Sequence, residues 1–176
     1  MKPFERLARE TVHQNPYWRH LRDRYRMPNM QEADYHFMQS SGSVLIIPQL
    51  KDKQLLLVKQ YRYIQQQWGW EFPGGGQQAG QTPLETAHIE LQEETGYRAE
   101  TFTHIGRLSP CQGLLDEWCE IYLAQDLTRG QASPEASEDI KLLKVTQQQL
   151  EAAICEGKMW SGMSQAAWLH FKLHQG

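Results

Sequence analysis

The sequence predicts an α/β fold of the α+β kind, a mixed β-sheet with helices packed on it. Three observations carry that expectation. Apolar, β-branched runs occupy 43–50 (SVLIIPQL) and 54–61 (QLLLVKQY). A helix with well-marked ends follows at 83–95. Further strand-like segments then lead into two helical patterns at the C-terminus, so strands flank a helix on both sides.

The elements are read in order. Lys51-Asp52-Lys53 joins the first two runs as a hairpin turn. Residues 68–72 (WGWEF) read as a short strand, which Pro73 and the three glycines Gly74, Gly75 and Gly76 turn into a loop. Thr82 fits a helix N-cap, Pro83 the first helical position, and Glu85 completes a capping box. Gly96 fits the residue just past the C-terminus. Leu84, Ala87 and Leu91 fall on one side and are expected to dock this helix on the sheet. Strands are expected at about 100–108, 118–124 and 140–145, with 125–139 as a polar loop. Helices are expected at 147–156 and 162–174, separated by Gly157.

The 176 residues suit one domain with a sizeable core. A net charge of −3 argues against a nucleic-acid binder. Arg19, Arg22, Arg24 and Arg26 make the N-terminal third locally basic. They read as a solvated face, with contact to an anionic substrate as the alternative. No apolar run reaches the length of a membrane span, and residues 1–10 are polar and charged, so a cytoplasmic protein is expected. Cys111, Cys119 and Cys155 form no CxxC pair and indicate neither a zinc site nor a disulfide framework. His170 and His174 have the spacing of a metal pair, but read as a surface helix face for want of a third ligand.

The chemistry concentrates at Glu90, Glu93 and Glu94, which share one helix face. Clustered carboxylates repel, and a divalent cation removes that repulsion; oxygen ligands suit Mg²⁺. The glycine loop ahead of the helix lets backbone carbonyls approach the same ion. A solvated acidic face is the competing reading of the three glutamates alone.

The segment from Gly75 to Tyr97 decides between them. Glu90, Leu91, Glu93, Glu94, Gly96 and Tyr97 stand at the spacing from Gly75 that the Nudix box requires (G-x5-E-x7-R-E-U-x-E-E-x-G-U, U being bulky and apolar), and the chain resembles the Nudix hydrolase family. Two positions depart: Gln81 stands for the first glutamate and Ile89 for the arginine. Residues 55–75, Ser109-Pro110 with Glu117, and the stretch from Glu138-Asp139-Ile140 onward resemble the ADP-ribose and nucleoside-diphosphate-sugar pyrophosphatase branch.

The resemblance implies an α/β/α sandwich, with residues 1–40 as a leader and 41–176 as the Nudix hydrolase domain. It implies Mg²⁺, with Mn²⁺ as a substitute, held by Gly74, Glu90, Glu94 and Glu138. It implies attack of water on a P–O–P bridge, with Glu93, Glu135 and Glu138 as the catalytic set. The family position of the base corresponds to Ala136, and Glu135 stands next to it. Arg62, Trp68 and Glu117 are the candidate substrate contacts. Arg62 also reads as a surface arginine at a strand end, and Trp68 as core packing. The implied partners are a small nucleotide substrate and a second copy of the chain. Trp18, Tyr25 and Tyr35 in the leader either meet that copy or cover the protein's own sheet. The departures keep a second class open, a Nudix-fold module that binds a nucleotide without turning it over. A third possibility is hydrolysis of a non-nucleotide substrate.

Overall fold

The computed structural model describes residues 3–131 and 139–176. Two compact units divide the chain. One comprises the residues up to Gly42 with Ser109–Trp118; the other comprises Ser43–Leu108 with Cys119–Gly176.

In the first unit, β1 (Glu5–Gln14), β2 (Arg19–Arg26) and β3 (Glu32–Gln39) form an antiparallel meander, and β8 (Leu115–Asp116) pairs with β3 in parallel. The sequence reading places no strand before residue 43. The reason for the difference is physical: this sheet buries one large apolar side chain, Leu21, so apolar alternation is weak. Cross-strand ion pairs take its place. Arg9 pairs with Asp23 at 2.6 Å, Arg22 with Glu10 and Arg26 with Glu5 at 2.8 Å each, and Arg24 with Glu32 at 3.0 Å. Arg19 bonds Gln39. Arg19, Arg22, Arg24 and Arg26 are thus engaged within the sheet. Tyr25 and Tyr35 lie edge to face at 6.5 Å, and the Tyr35 hydroxyl donates to the Gly113 carbonyl at 2.8 Å. Trp18 meets His13 at 5.6 Å.

The Arg9 bond holds the Asp23 carboxyl below its usual range, and Arg26 and Arg24 do the same for Glu32. A depressed carboxyl stabilises above its unfolded pKa and loses that contribution as pH falls through its folded one. Amide protection in β1–β3, corrected for intrinsic exchange, is therefore expected to drop below about pH 4 before that of the second unit's core.

The second unit holds β4 (Ser43–Pro48), β5 (Leu55–Arg62), β6 (Gln67–Glu71), α1 (Pro83–Thr95), β7 (Tyr97–Leu108), β9 (Cys119–Arg129), β10 (Ile140–Val145), α2 (Gln147–Cys155) and α3 (Gly162–His174). Its strands form two three-stranded sheets, β10-β5-β6 and β4-β9-β7. β4 runs parallel to β9 and the other pairs are antiparallel, so the β4-β9-β7 sheet is mixed and the β10-β5-β6 sheet is antiparallel. β4 shows why this is a sandwich. Alternate side chains point to opposite faces. Val44 and Ile46 pack with Ala87 and Leu91 of α1. Leu45 and Ile47 pack with Leu150 of α2 and with Trp168 and Phe171 of α3. The Leu50–Gln54 turn closes as expected, with Lys53 at φ 66°.

The expected loop at 125–139 is corrected in its first part. β9 continues to Arg129 because its polar end pairs with the start of β7, Tyr97 opposite Arg129. Exposed strand ends carry polar residues, and that composition hid the strand. Among the described residues no helix is long and apolar enough to cross a membrane. His170 packs its ring against the backbone at Gly106, so the His170/His174 pair needs no metal to explain it.

Candidate active site

Local chemistry sets both ends of α1. Thr82 Oγ1 accepts from the Glu85 N–H at 3.3 Å, and the Glu85 carboxylate accepts from the Thr82 N–H at 2.8 Å. That backbone bond, with a second from the Thr82 hydroxyl, keeps the Glu85 carboxyl below its usual range. Gly96 adopts φ 72° and returns its N–H to the Gln92 carbonyl. The buried face carries Thr86, Ala87, Leu91, Glu94 and Thr95. Leu84 does not belong to it: it stands in the first turn of the helix and is 42 % exposed. Thr86 is buried near that end instead, its hydroxyl bonded to the Thr82 carbonyl and to Gln81.

Gln81 therefore has a task that charge does not define. Its side-chain oxygen accepts from the Gln78 N–H at 3.3 Å and from Thr86 Oγ1 at 3.0 Å, closing the loop ahead of α1.

The glycine loop is laid against β4. The Pro73 carbonyl accepts from the Ile46 N–H at 2.8 Å and the Gly75 carbonyl from the Val44 N–H at 2.9 Å. In an extended chain the intervening residue turns its polar groups the other way. The Gly74 N–H accordingly donates to Glu94 Oε2 at 2.9 Å. Gly74 is tight against the strand: a Cβ there would lie 2.1 Å from the Val44 carbonyl oxygen. Gly75 is tight against the helix: a Cβ there would lie 2.2 Å from Glu90 Oε1. Glycine is required at both positions for close approach. Glu94 is 5 % exposed, while Glu90 and Glu93 are half-buried.

Gly74, Glu90 and Glu94 thus come together as expected, with Glu93 beside them on α1. Glu135, Glu138 and Ala136 lie outside the described residues. Among the described residues no three His, Cys, Asp or Glu side chains cluster as a ready metal site. Magnesium does not demand such a cluster, because it commonly takes one or two carboxylates and keeps several waters. Acceptor-only oxygens from Glu90, Glu94 and the Gly74 carbonyl fit it.

The substrate candidates separate. Arg62 and Glu71 form a two-pronged ion pair across the β5–β6 hairpin, at 2.9 and 2.6 Å. Trp68 stands opposite Tyr61 in the register, one residue out of phase with Arg62, so it projects from the other face of the sheet. Glu117 belongs to the first unit, where it accepts from Ser40 Oγ at 2.8 Å. The sequence reading missed two supports. One is Glu71, whose partner is visible only once the hairpin register is known. The other is Ser164, a buried α3 hydroxyl that accepts from the Phe72 N–H at 3.1 Å and ties that helix to the glycine loop.

Two predictions arise here. Arg62→Met leaves the buried Glu71 carboxylate without its fork. Since Arg62 is partly solvent-exposed, the loss is set at about 2 kcal/mol, or a melting temperature lower by roughly 4–8 °C; an unchanged melting temperature would refute the pairing's importance. Ile89→Arg restores a cation four residues before Glu93. Ile89 is 38 % exposed, so the arginine buries no charge. The variant is expected to melt within about 2 °C of the parent and to gain turnover or Mg²⁺ affinity. Parallel melting and kinetic assays decide, and a sharp drop in melting temperature without kinetic gain rejects the electrostatic reading.

Residues 39–159 match the NUDIX domain. The chain is 34 % identical over 106 residues to CMP-5'-(N-acetyl-N-hydroxy-3-aminopropyl)phosphonate hydrolase of Streptomyces rubellomurinus, covering 59 % of this chain and 52 % of that one. It is 33 % identical over 137 residues to the ADP-ribose pyrophosphatase of Mycobacterium tuberculosis, covering 77 % and 66 %. The chain thus spans about half to two thirds of the length of these curated relatives. A crystal structure of an ADP compounds hydrolase shares the fold, with a TM-score of 0.85 over 98 % of this chain and 94 % of that one at 20 % identity. The chain belongs to the Nudix family.

Proposed function

We propose that this protein is a magnesium-dependent pyrophosphohydrolase that cleaves a nucleoside diphosphate linked to a second group, ADP-ribose or a nucleotide sugar. The observation that carries the reading is the seating of Glu90 and Glu94 against the Gly74-Gly75 backbone. Similarity to an ADP-ribose pyrophosphatase supports the substrate class. Glu90, Glu94 and the Gly74 carbonyl would hold the metal, with Glu138 completing the set and Mn²⁺ as a substitute. When bound, the metal neutralises phosphate charge and lowers the pKa of the attacking water. One glutamate of the set Glu93, Glu135 and Glu138 takes the proton from that water. Arg62, oriented by Glu71, contacts a phosphate, and Glu117 contacts the substrate. The working form is a cytoplasmic homodimer that uses the leader's aromatic residues; light scattering tests the stoichiometry.

A panel of nucleoside-diphosphate compounds incubated with Mg²⁺, read as phosphate released after phosphatase treatment, tests the activity. Thermal stabilisation by Mg²⁺ alone is measured beside it, since a ligand of the native state raises the melting temperature. Turnover that chelation abolishes supports the reading. Mg²⁺-dependent binding of a nucleotide without turnover favours instead the binding module, for which Gln81, Ile89 and Ala136 speak. No stabilisation by millimolar metal, with or without nucleotide, rejects both.

A further inference from the structure

The side of the β10-β5-β6 sheet that faces away from Arg62 and Glu71 carries an arrangement that the catalytic reading leaves unused. Lys141 and Lys59 are register partners in the antiparallel β10–β5 pair. Like charges directly opposite each other on one face destabilise a sheet. Both ammonium groups hang over a single indole: Lys141 Nζ lies 4.9 Å and Lys59 Nζ 5.3 Å from the Trp68 ring centre. Tyr61 closes the edge of that ring at 5.7 Å, tilted by 66°. Three other lysines of this unit have carboxylate partners, and Lys51 and Lys53 form no ion pair with a described residue: Lys144 has Asp52 at 2.9 Å, Lys158 has Glu156 at 2.5 Å, and Lys172 has Glu151 at 3.4 Å. Neither Lys59 nor Lys141 forms an ion pair with a described residue, and neighbouring Asp139 makes none with them.

We propose that Lys59, Lys141 and Trp68 form a binding site for a phosphate dianion, free or as the end of a monoester, on the face of the sheet opposite Arg62 and Glu71. The argument is one of charge complementarity. Two cations on register-paired residues repel, and the indole relieves this only in part, because one ring serves both of them. A dianion placed between the ammonium groups cancels the repulsion and accepts hydrogen bonds from both. The ring also restricts the lysine stems, which lowers the ordering cost of capturing the anion. Tyr61 is exposed beside the site and gives a ring-bearing monoester an additional surface. The proposal stands apart from the catalytic reading, since no residue is shared with α1.

The test is the melting temperature of the full chain in EDTA, which removes divalent metal, with inorganic phosphate or a nucleoside monophosphate compared against chloride at equal ionic strength. For the parent, phosphate tenfold above its dissociation constant is expected to add about 3–6 °C over chloride. Lys59→Met and Lys141→Met are expected to lose that excess. The excess is read within each protein, so a variant that melts lower overall remains informative. Equal shifts from both anions assign the site to the phosphoryl group alone, and a larger shift from the monophosphate adds Tyr61; either supports the proposal. No excess in the parent, or the same excess in both variants, overturns it.

Discussion

Glu94→Gln is expected to lower turnover by about 100- to 1000-fold, the range for removing one preorganised electrostatic group, with little change in melting temperature. Glu94 is the most enclosed of the three glutamates and faces the glycine loop rather than solvent. Glutamine keeps the shape and keeps an oxygen to accept the Gly74 N–H, so the loop stays docked. What it loses is the charge, and with it the ability to bind a hard divalent cation strongly. Metal titration separates this from a packing defect. The variant should require far more Mg²⁺ for half-maximal rate, and its unliganded melting temperature should stay within a few degrees of the parent. If the rate and the metal requirement both match the parent, Glu94 is a structural acceptor for the loop and the proposed metal site is wrong.

The parts of this molecule legible in sequence are those set by neighbours along the chain. The caps of α1 depend on Thr82, Glu85 and Gly96, all within one or two turns of the helix ends, and each behaves as its residue type dictates. The spacing of Glu90 and Glu94 from Gly74 and Gly75 is likewise short, and the helix delivers both carboxylates to that loop. Features that depend on register were not legible. Arg62 and Trp68 are close in sequence, yet the β5–β6 pairing places them on opposite faces. Nothing in the run Tyr63-Ile64-Gln65-Gln66 states in advance which residues it brings opposite each other. The leader strands escaped for a different reason. Their pairing rests on Arg9–Asp23, Arg22–Glu10 and Arg26–Glu5, and charged strands with weak apolar alternation resemble a solvated segment. Leu84 shows the converse error: an apolar residue at helical spacing need not meet the core when it stands in the helix's first turn.

Gly75→Ala is expected to reduce activity by about 100-fold, the cost of roughly 1 Å of misplacement in a positioned reaction, while leaving stability close to that of the parent. The added Cβ would lie 2.2 Å from Glu90 Oε1, 2.5 Å from its carboxyl carbon and 2.8 Å from Oε2. Every atom of that carboxyl is inside contact distance, so it must move. The side chain is flexible and half-buried, and it can swing aside without disturbing the core. The fold therefore tolerates the change and the proposed metal site does not. Gly74→Ala is the control, because its Cβ would meet the Val44 carbonyl oxygen at 2.1 Å and Leu45 Cα at 3.0 Å. Backbone cannot swing aside, so that variant should melt lower by several degrees. The pair thus splits by mechanism: Gly74→Ala fails in the melting assay, and Gly75→Ala fails in the kinetic assay with a raised Mg²⁺ requirement. If Gly75→Ala keeps both its rate and its metal requirement, the position of Glu90 is immaterial to catalysis. The shape of the loop would then serve packing alone, and the carboxylate face of α1 would be a solvated surface.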